Sequence, residues 1–283
     1  MARHTALITA GELLGQLAQV RVVDCSHDLG DTFAGARQYA EGHIPGAVHA
    51  HLDEHLSGAK TGTNGRHPLP EAGALVRWLG AQGVAFGAPV VAYDRSGGMY
   101  AARLWWLLRW LGHRQVRVLD GGWQAWVAAC GAVSTEAPRH EAMVFEAPVT
   151  HDHLWVDARF VERNLHSRDA LLVDARGAER YAGTVEPIDP RAGHIPGAVN
   201  RPFTDNLGPD GHFKPADLLA TEWRAVLGAH RGDAVVAQCG SGVTACHNLL
   251  AMEIADLPMG RLYAGSWSEW CADPRRPIAA GRD

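Results

Sequence analysis

The sequence predicts an α/β protein of two tandem domains, each an open, mostly parallel sheet flanked by helices. Two observations carry that expectation. The first is that the chain is written twice. "GHIPGAV" at 42–48 returns at 193–199, an offset of 151. "VRVVDCS" (20–26) returns as "ALLVDAR" (170–176). "APVVAYDRSGGMYAARLWWLL" (88–108) returns as "DAVVAQCGSGVTACHNLLAME" (233–253), and "VRVLDGGWQAW" (116–126) as "GRLYAGSWSEW" (260–270). Blocks repeated in the same order at nearly one offset are the mark of a duplicated domain. The second observation is the kind of run that repeats. Short β-branched runs, apolar throughout rather than alternating, read as strands buried on both faces, and they alternate with helix-period segments.

In chain order, "RVVD", "PVVAYD" and "VRVLDGG" are the strands of the first copy. "MYAARLWWLLRWLGH" (99–113) is the helix after one of them. Its Trp105, Trp106 and Trp110 are expected in packing rather than on a binding surface, as large aromatics usually are. The stretch "STEAPRHEAMVFEAPVT" (134–150), rich in Pro, Ala and charge, reads as a linker. The domains are expected at 1–138 and 150–283. The second copy repeats the same strand signals, and "ACHNLLAMEI" opens as a helix directly after the glycine-rich "QCGSGVTAC" (238–246).

Composition narrows the class. With 283 residues, 47% hydrophobic and 20% charged, the chain is ordinary for a soluble globular protein. A formal net charge of −5 gives no footprint for nucleic acid or an anionic membrane. No apolar stretch approaches the ~18 residues of a membrane span, and "MARHTALITAGELLGQLAQV" has no signal-peptide core. The five cysteines are widely spaced, with no CxxC pair. They suit a reducing, cytoplasmic setting rather than a disulfide framework or zinc site. The sixteen histidines are scattered, so no metal and no cofactor are expected.

Cys239 is the candidate nucleophile. It stands at the carboxyl end of a strand, where open α/β sheets bind ligands, and just before a helix. The thiolate is the reactive form, and a helix N-terminus favours it. Gly240 and Gly242 let the backbone curl so that unpaired N–H groups face one point, an anion cradle for a thiolate or persulfide. The alternative is an inert buried cysteine beside a turn, the reading given to Cys25, Cys130, Cys246 and Cys271.

"CGSGVTA", the doubled "GHIPGA" and the pair "DGGWQAW"/"AGSWSEW" resemble the rhodanese superfamily over essentially the whole chain, and most closely its tandem-domain mercaptopyruvate sulfurtransferases. The resemblance implies two rhodanese domains, of which only the second is catalytic, with Cys239 cycling through a persulfide. The first copy has Asp94 where the second has Cys239. An aspartate cannot accept a sulfane sulfur, so this half is expected to be silent and to supply the other wall of the site. Thiosulfate-specific members resemble "CRKGVTA", with two cations for a dianion; here Gly240 and Ser241 hold those places. An α-keto acid donor calls for a bidentate carboxylate clamp. Arg180 and Arg191 match the substrate-binding arginines of the family, although the stretch between them is about two residues longer than in its pattern. Gly240, Gly242, Val243 and Thr244 are the expected substrate-binding loop. Ser241, His67 and Asp53 match a proposed Ser–His–Asp relay that would protonate the pyruvate enolate. The Asp53–His67 spacing is a few residues longer, with "AKTGTNG" inserted. Arg176 is expected to be structural, and so are His43 and His194, which recur in both halves.

The expected partners are a small-molecule sulfur donor and a thiol or cyanide acceptor, with thioredoxin among the candidates; nucleic acid and membrane are not. The rival readings are a thiosulfate sulfurtransferase and a non-catalytic persulfide carrier or regulatory module. A cysteine phosphatase shares the cradle but needs an arginine six residues after the cysteine, where this chain has Ala245.

Overall fold

The computed structural model describes residues 6–147 and 149–281. The outermost positions of the expected domain spans, 1–5 and 282–283, lie outside the described residues, as do Pro148 of the expected linker and the start of the stretch considered for a signal peptide. The chain forms two compact units.

In the first unit, β1 (Leu7–Ile8), β2 (Arg21–Asp24), β3 (Val48–His49), β4 (Val90–Tyr93) and β5 (Val116–Leu119) make a parallel sheet in the order β1-β5-β4-β2-β3. Val22, Val23, Val91, Ala92 and Val118 are buried because helices cover both faces, which is why the runs read as continuously apolar. The helices are α1 (Ala10–Gln16), α2 (Ala34–Glu41), α3 (Ala72–Ala81), α4 (Ala101–Trp110) and α5 (Gly122–Ala128). A capping box starts α1: the Glu12 N–H donates to Thr9 Oγ1, and the Thr9 N–H donates to the Glu12 carboxylate. Helix α4 is buried nearly all round, Arg103 included, and Trp105, Trp106 and Trp110 are buried as expected.

The second unit repeats the plan. Strands β6 (Trp155–Val156), β7 (Leu171–Asp174), β8 (Val199–Asn200), β9 (Val235–Gln238) and β10 (Arg261–Tyr263) run parallel in the order β6-β10-β9-β7-β8. Its helices are α6 (Ala158–Ser167), α7 (Ala178–Ala182), α8 (Ala216–Leu227), α9 (Thr244–Ile254) and α10 (Ser266–Trp270). Its core gathers Val161, Leu172, Ile195, Val236, Tyr263, Trp267 and Trp270.

The doubled "GHIPGA" is a structural device in each unit. His43 stacks on Tyr39, and His194 on Tyr181, both with ring centroids 3.9 Å apart. Each histidine bonds through Nδ1 to its tyrosine's carbonyl at 2.8 Å. Each also forms an antiparallel bridge to the chain that closes its unit, His43 to Ser134 and His194 to Ala279.

Two boundaries differ from the sequence expectation. The stretch expected as a linker is packed on the first unit, which runs on to His151. Phe145 is buried against Phe86 and His113, the Met143 N–H donates to the Gly80 carbonyl, and His140 bonds Arg21. Apolar burial outweighs the Pro- and charge-rich composition that suggested a free segment. In addition, the units exchange short segments. Ala59–Pro68 groups with the second unit and Pro209–His212 with the first. The inserted "AKTGTNG" therefore belongs to the second unit. Gly65 shows why a glycine is needed there: its φ is +87°, and a Cβ would sit 2.7 Å from the Gly265 carbonyl oxygen. Among the described residues no helix is long and apolar enough to cross a membrane.

Candidate active site

Cys239 follows β9 directly, and the loop 240–243 leads into α9. The thiol is 2% exposed, and the Gly242 N–H donates to Sγ at 3.2 Å. Gly242 has φ +78°, and any Cβ there would strike the Ala264 carbonyl oxygen at 2.4 Å, so the curl requires glycine. The first turn of α10 holds the loop from behind. The Cys239 N–H donates to Ser266 Oγ, and the Cys239 and Gly240 carbonyls accept from the N–H groups of Trp267 and Ser268, both at 2.9 Å. This explains the repeated Gly-x-Trp block: in the first unit the Trp123 N–H donates to the Asp94 carbonyl at 3.0 Å in the same way.

The first unit is an internal control for the cradle. Its equivalent loop is filled by the Asp94 carboxylate, which accepts from the N–H groups of Ser96, Gly98, Tyr100 and Ala101 at 2.8–2.9 Å. Burial lifts the Asp94 carboxyl above its usual range against these four bonds, so the duplicated loop is an array of N–H donors closed around a buried acceptor. In the second unit a shorter side chain, the Cys239 thiol, takes the place of that carboxylate. The other cysteines do not compete. Burial, with Asp94 and Asp24 adding their charge, pushes the Cys25 thiol well above its usual range. Burial pushes Cys271 up to about 11. Cys246 is fully buried and donates to the Gly242 carbonyl. Cys130 is exposed, at φ +57°.

Ser241 Oγ and His67 Nδ1 are hydrogen-bonded at 2.7 Å, both residues buried, with the direction set by the imidazole tautomer. This pair forms within the second unit, because residues 59–68 belong there. Asp53 lies in the first unit, where its N–H donates to His51 Nδ1 and its charge acts on His27. Val243 precedes α9, and Thr244 is its first residue.

Arg180 lies over the loop: a Cβ at Gly240 would be 3.4 Å from its Nη1. The expected second arginine, Arg191, turns elsewhere. Its Nη1 donates to the carbonyls of Asp273 and Arg276, which ties it to the C-terminal segment. The guanidinium that accompanies Arg180 is that of Arg66, whose Nη2 would be 2.8 Å from the same Cβ. Sequence reasoning passed over Arg66 although it adjoins His67; that adjacency was the available signal.

Carboxylates brace both arginines from behind. Arg180 grips Glu186 with Nε and Nη2 at 3.2 and 2.7 Å, and its Nη2 reaches Asp189 at 3.0 Å. Arg66 pairs with the other Asp189 oxygen through Nη1. Burial works hardest against the charged form of Glu186, but the bond and charge of Arg180 and the N–H groups of Asp189 and Ile188 together outweigh it and hold the carboxyl below its usual range. Burial lifts Asp189 above that range against the pull of Arg66. Arg176 is structural, as expected: it is buried, grips Asp174 and lies over the Trp267 ring. Among the described residues no group of His, Cys, Asp and Glu is arranged to hold a metal ion.

Comparison with known proteins agrees with this architecture. The model of the rhodanese-like domain matches residues 9–129 and again 157–273. A "Probable 3-mercaptopyruvate sulfurtransferase" of Pseudomonas aeruginosa is 47% identical over 97% of this chain and 98% of that protein. The thiosulfate sulfurtransferase of Bos taurus is 34% identical over 93% of this chain and 89% of that one. The solved 3-mercaptopyruvate sulfurtransferase from Leishmania major superposes with a TM-score of 0.86 at 33% identity, over 98% of this chain and 78% of that one. With the family's domain matched twice and a cysteine loop in the second copy, the chain belongs to the rhodanese-like family.

Proposed function

We propose that the chain is a 3-mercaptopyruvate sulfurtransferase that passes a sulfane sulfur through a Cys239 persulfide to a thiol or cyanide acceptor and releases pyruvate. The observation that carries this reading is the convergence of Arg66 and Arg180 on Gly240, beside the nucleophile, with no cation in the loop itself. Two guanidiniums aimed at one point suit a carboxylate.

The Cys239 thiolate attacks the thiol sulfur of the donor, a new S–S bond forms and the C–S bond breaks. The electron pair leaves on carbon as the pyruvate enolate. The donor's thiol hydrogen is lost as a proton, and C3 gains one, so the net products are persulfide and pyruvate. The Ser241–His67 pair is placed next to the loop to move that proton. The Gly242 N–H, which donates to Sγ, stays on the sulfur as charge moves through it. Five free cysteines suit a reducing, cytoplasmic setting, and thioredoxin, with its low-pKa thiol, is a fitting acceptor.

The thiosulfate reading is favoured by relatives such as the bovine enzyme. Side-by-side kcat/KM values for the two donors, with cyanide as acceptor, decide between them. Preference for mercaptopyruvate is expected; preference for thiosulfate would reverse the assignment.

His67→Gln is expected to lower mercaptopyruvate turnover by about 10²-fold, because it removes the proton carrier while leaving Cys239 in place. A pyruvate-release assay checks this, and an unchanged kcat would remove His67 from the relay. A chain beginning at residue 150 lacks Arg66 and His67. It is expected to retain under roughly a hundredth of full-length activity, since each lost contact is worth about tenfold or more. Full activity from the folded half would contradict both roles.

A further inference from the structure

The segment "TVEPIDP" (184–190) supplies two carboxylates, Glu186 and Asp189, to the arginines near Gly240. Asp189 stands between Pro187 and Pro190, and both its oxygens are committed, one to Arg66 and the other to Arg180. Its side chain is 3% exposed, so solvent does little to screen it. Glu186 fixes the turn from inside, with Oε1 accepting from the N–H groups of Ile188 and Asp189 at 3.1 Å. Each arginine is thus used on two sides. Arg66 Nη1 and Arg180 Nη2 bond the carboxylates, whereas Arg66 Nη2 and Arg180 Nη1 lie toward Gly240 and make none of those bonds. With the carboxylates ionised, the cations Arg66, Arg176 and Arg180 are matched by Asp174, Glu186 and Asp189, and the network carries no net charge.

We propose that Asp189 sets which donor charge the site accepts: it ties Arg66 and Arg180 into one clamp and cancels one of their charges, so that a monocarboxylate is held and a dianion is disfavoured. The proposal rests on the reading of these arginines as the donor clamp. A neutral network binds a monoanion through geometry and hydrogen bonds. A dianion needs net positive charge to offset its larger desolvation. Removing Asp189 leaves one uncancelled positive charge beside the loop. Coulomb energy scales with ligand charge, so thiosulfate gains about twice what mercaptopyruvate gains.

The test is kcat/KM for 3-mercaptopyruvate and for thiosulfate, with cyanide as acceptor, in wild type, Asp189→Asn, Asp189→Ser and Asp189→Glu. The Asn and Ser variants should shift the thiosulfate-to-mercaptopyruvate ratio by roughly five- to twentyfold toward thiosulfate. The shift should lie in KM, with kcat for mercaptopyruvate within about threefold of wild type. Asp189→Glu, which keeps the charge, should return the ratio to within about threefold of wild type. A ratio unmoved in the folded Asn and Ser variants overturns the proposal. So does a kcat that falls equally for both donors at constant KM, the mark of a residue that only holds the fold. A wild-type protein that releases no pyruvate from mercaptopyruvate overturns the clamp reading itself, and this proposal with it.

Discussion

Cys239→Ser is expected to abolish sulfur transfer, a loss on the order of 10⁴-fold or more, while the protein stays folded. A hydroxyl oxygen does not form a persulfide, so no partial activity remains to be tuned. The fold should tolerate the change. The side chain accepts an N–H bond from Gly242, which a serine oxygen can also accept, and the loop is held by backbone bonds to Trp267 and Ser268. The stability cost is expected to stay near 1 kcal/mol. Thermal melting and a cyanolysis assay on the same preparation check both halves of the statement. Residual transfer above about one per cent of wild type would move the nucleophile elsewhere.

Arg180→Lys is expected to cost about 10²–10³-fold in kcat/KM for mercaptopyruvate. Lysine keeps the charge but loses the fork that meets a carboxylate on two atoms, and each charge-assisted bond is worth roughly 1.5–3 kcal/mol. Because the donor's carboxylate is held alike in ground state and transition state, the loss should appear mainly as a raised KM. The substitution also loosens Glu186, which now uses both ends of Arg180. Melting temperature should therefore fall by a few degrees, in line with one or two weakened partly buried pairs. Steady-state kinetics over a wide donor range separates the two effects. An unchanged KM with a collapsed kcat would mean that Arg180 acts on the reacting atoms rather than on the carboxylate.

The duplicated fold was legible because the inner strands β2, β4, β7 and β9 are buried on both faces and leave apolar runs that repeat. The cysteine loop was legible because a cysteine, two glycines and a helix start lie within a few consecutive residues, and such local geometry leaves a local signature. The pair of arginines near Gly240 was only half legible. Arg180 stands there as expected, but Arg66 beside it meets Asp189, 123 residues further along the chain, and no period or motif links the two. Arg191 looked equivalent by position, yet its side chain satisfies carbonyls near the C-terminus. The stretch around Phe145 misled for a related reason: composition described its surface, while one buried ring decided its path. The inserted residues before His67 read as a lengthened spacer and belong to the segment that brings Arg66 and His67 into the second unit.

The central claim is that sulfur from mercaptopyruvate comes to rest on Cys239. A single-turnover experiment tests it most directly. The full-length protein is mixed with one equivalent of 3-mercaptopyruvate and no acceptor, pyruvate is measured, and the protein is digested for peptide mass. One pyruvate per chain is predicted, with one added sulfur on the peptide carrying Cys239 and none on those carrying Cys25, Cys130 or Cys271. Pyruvate released without sulfur on the Cys239 peptide, or sulfur found on another cysteine, would contradict the account.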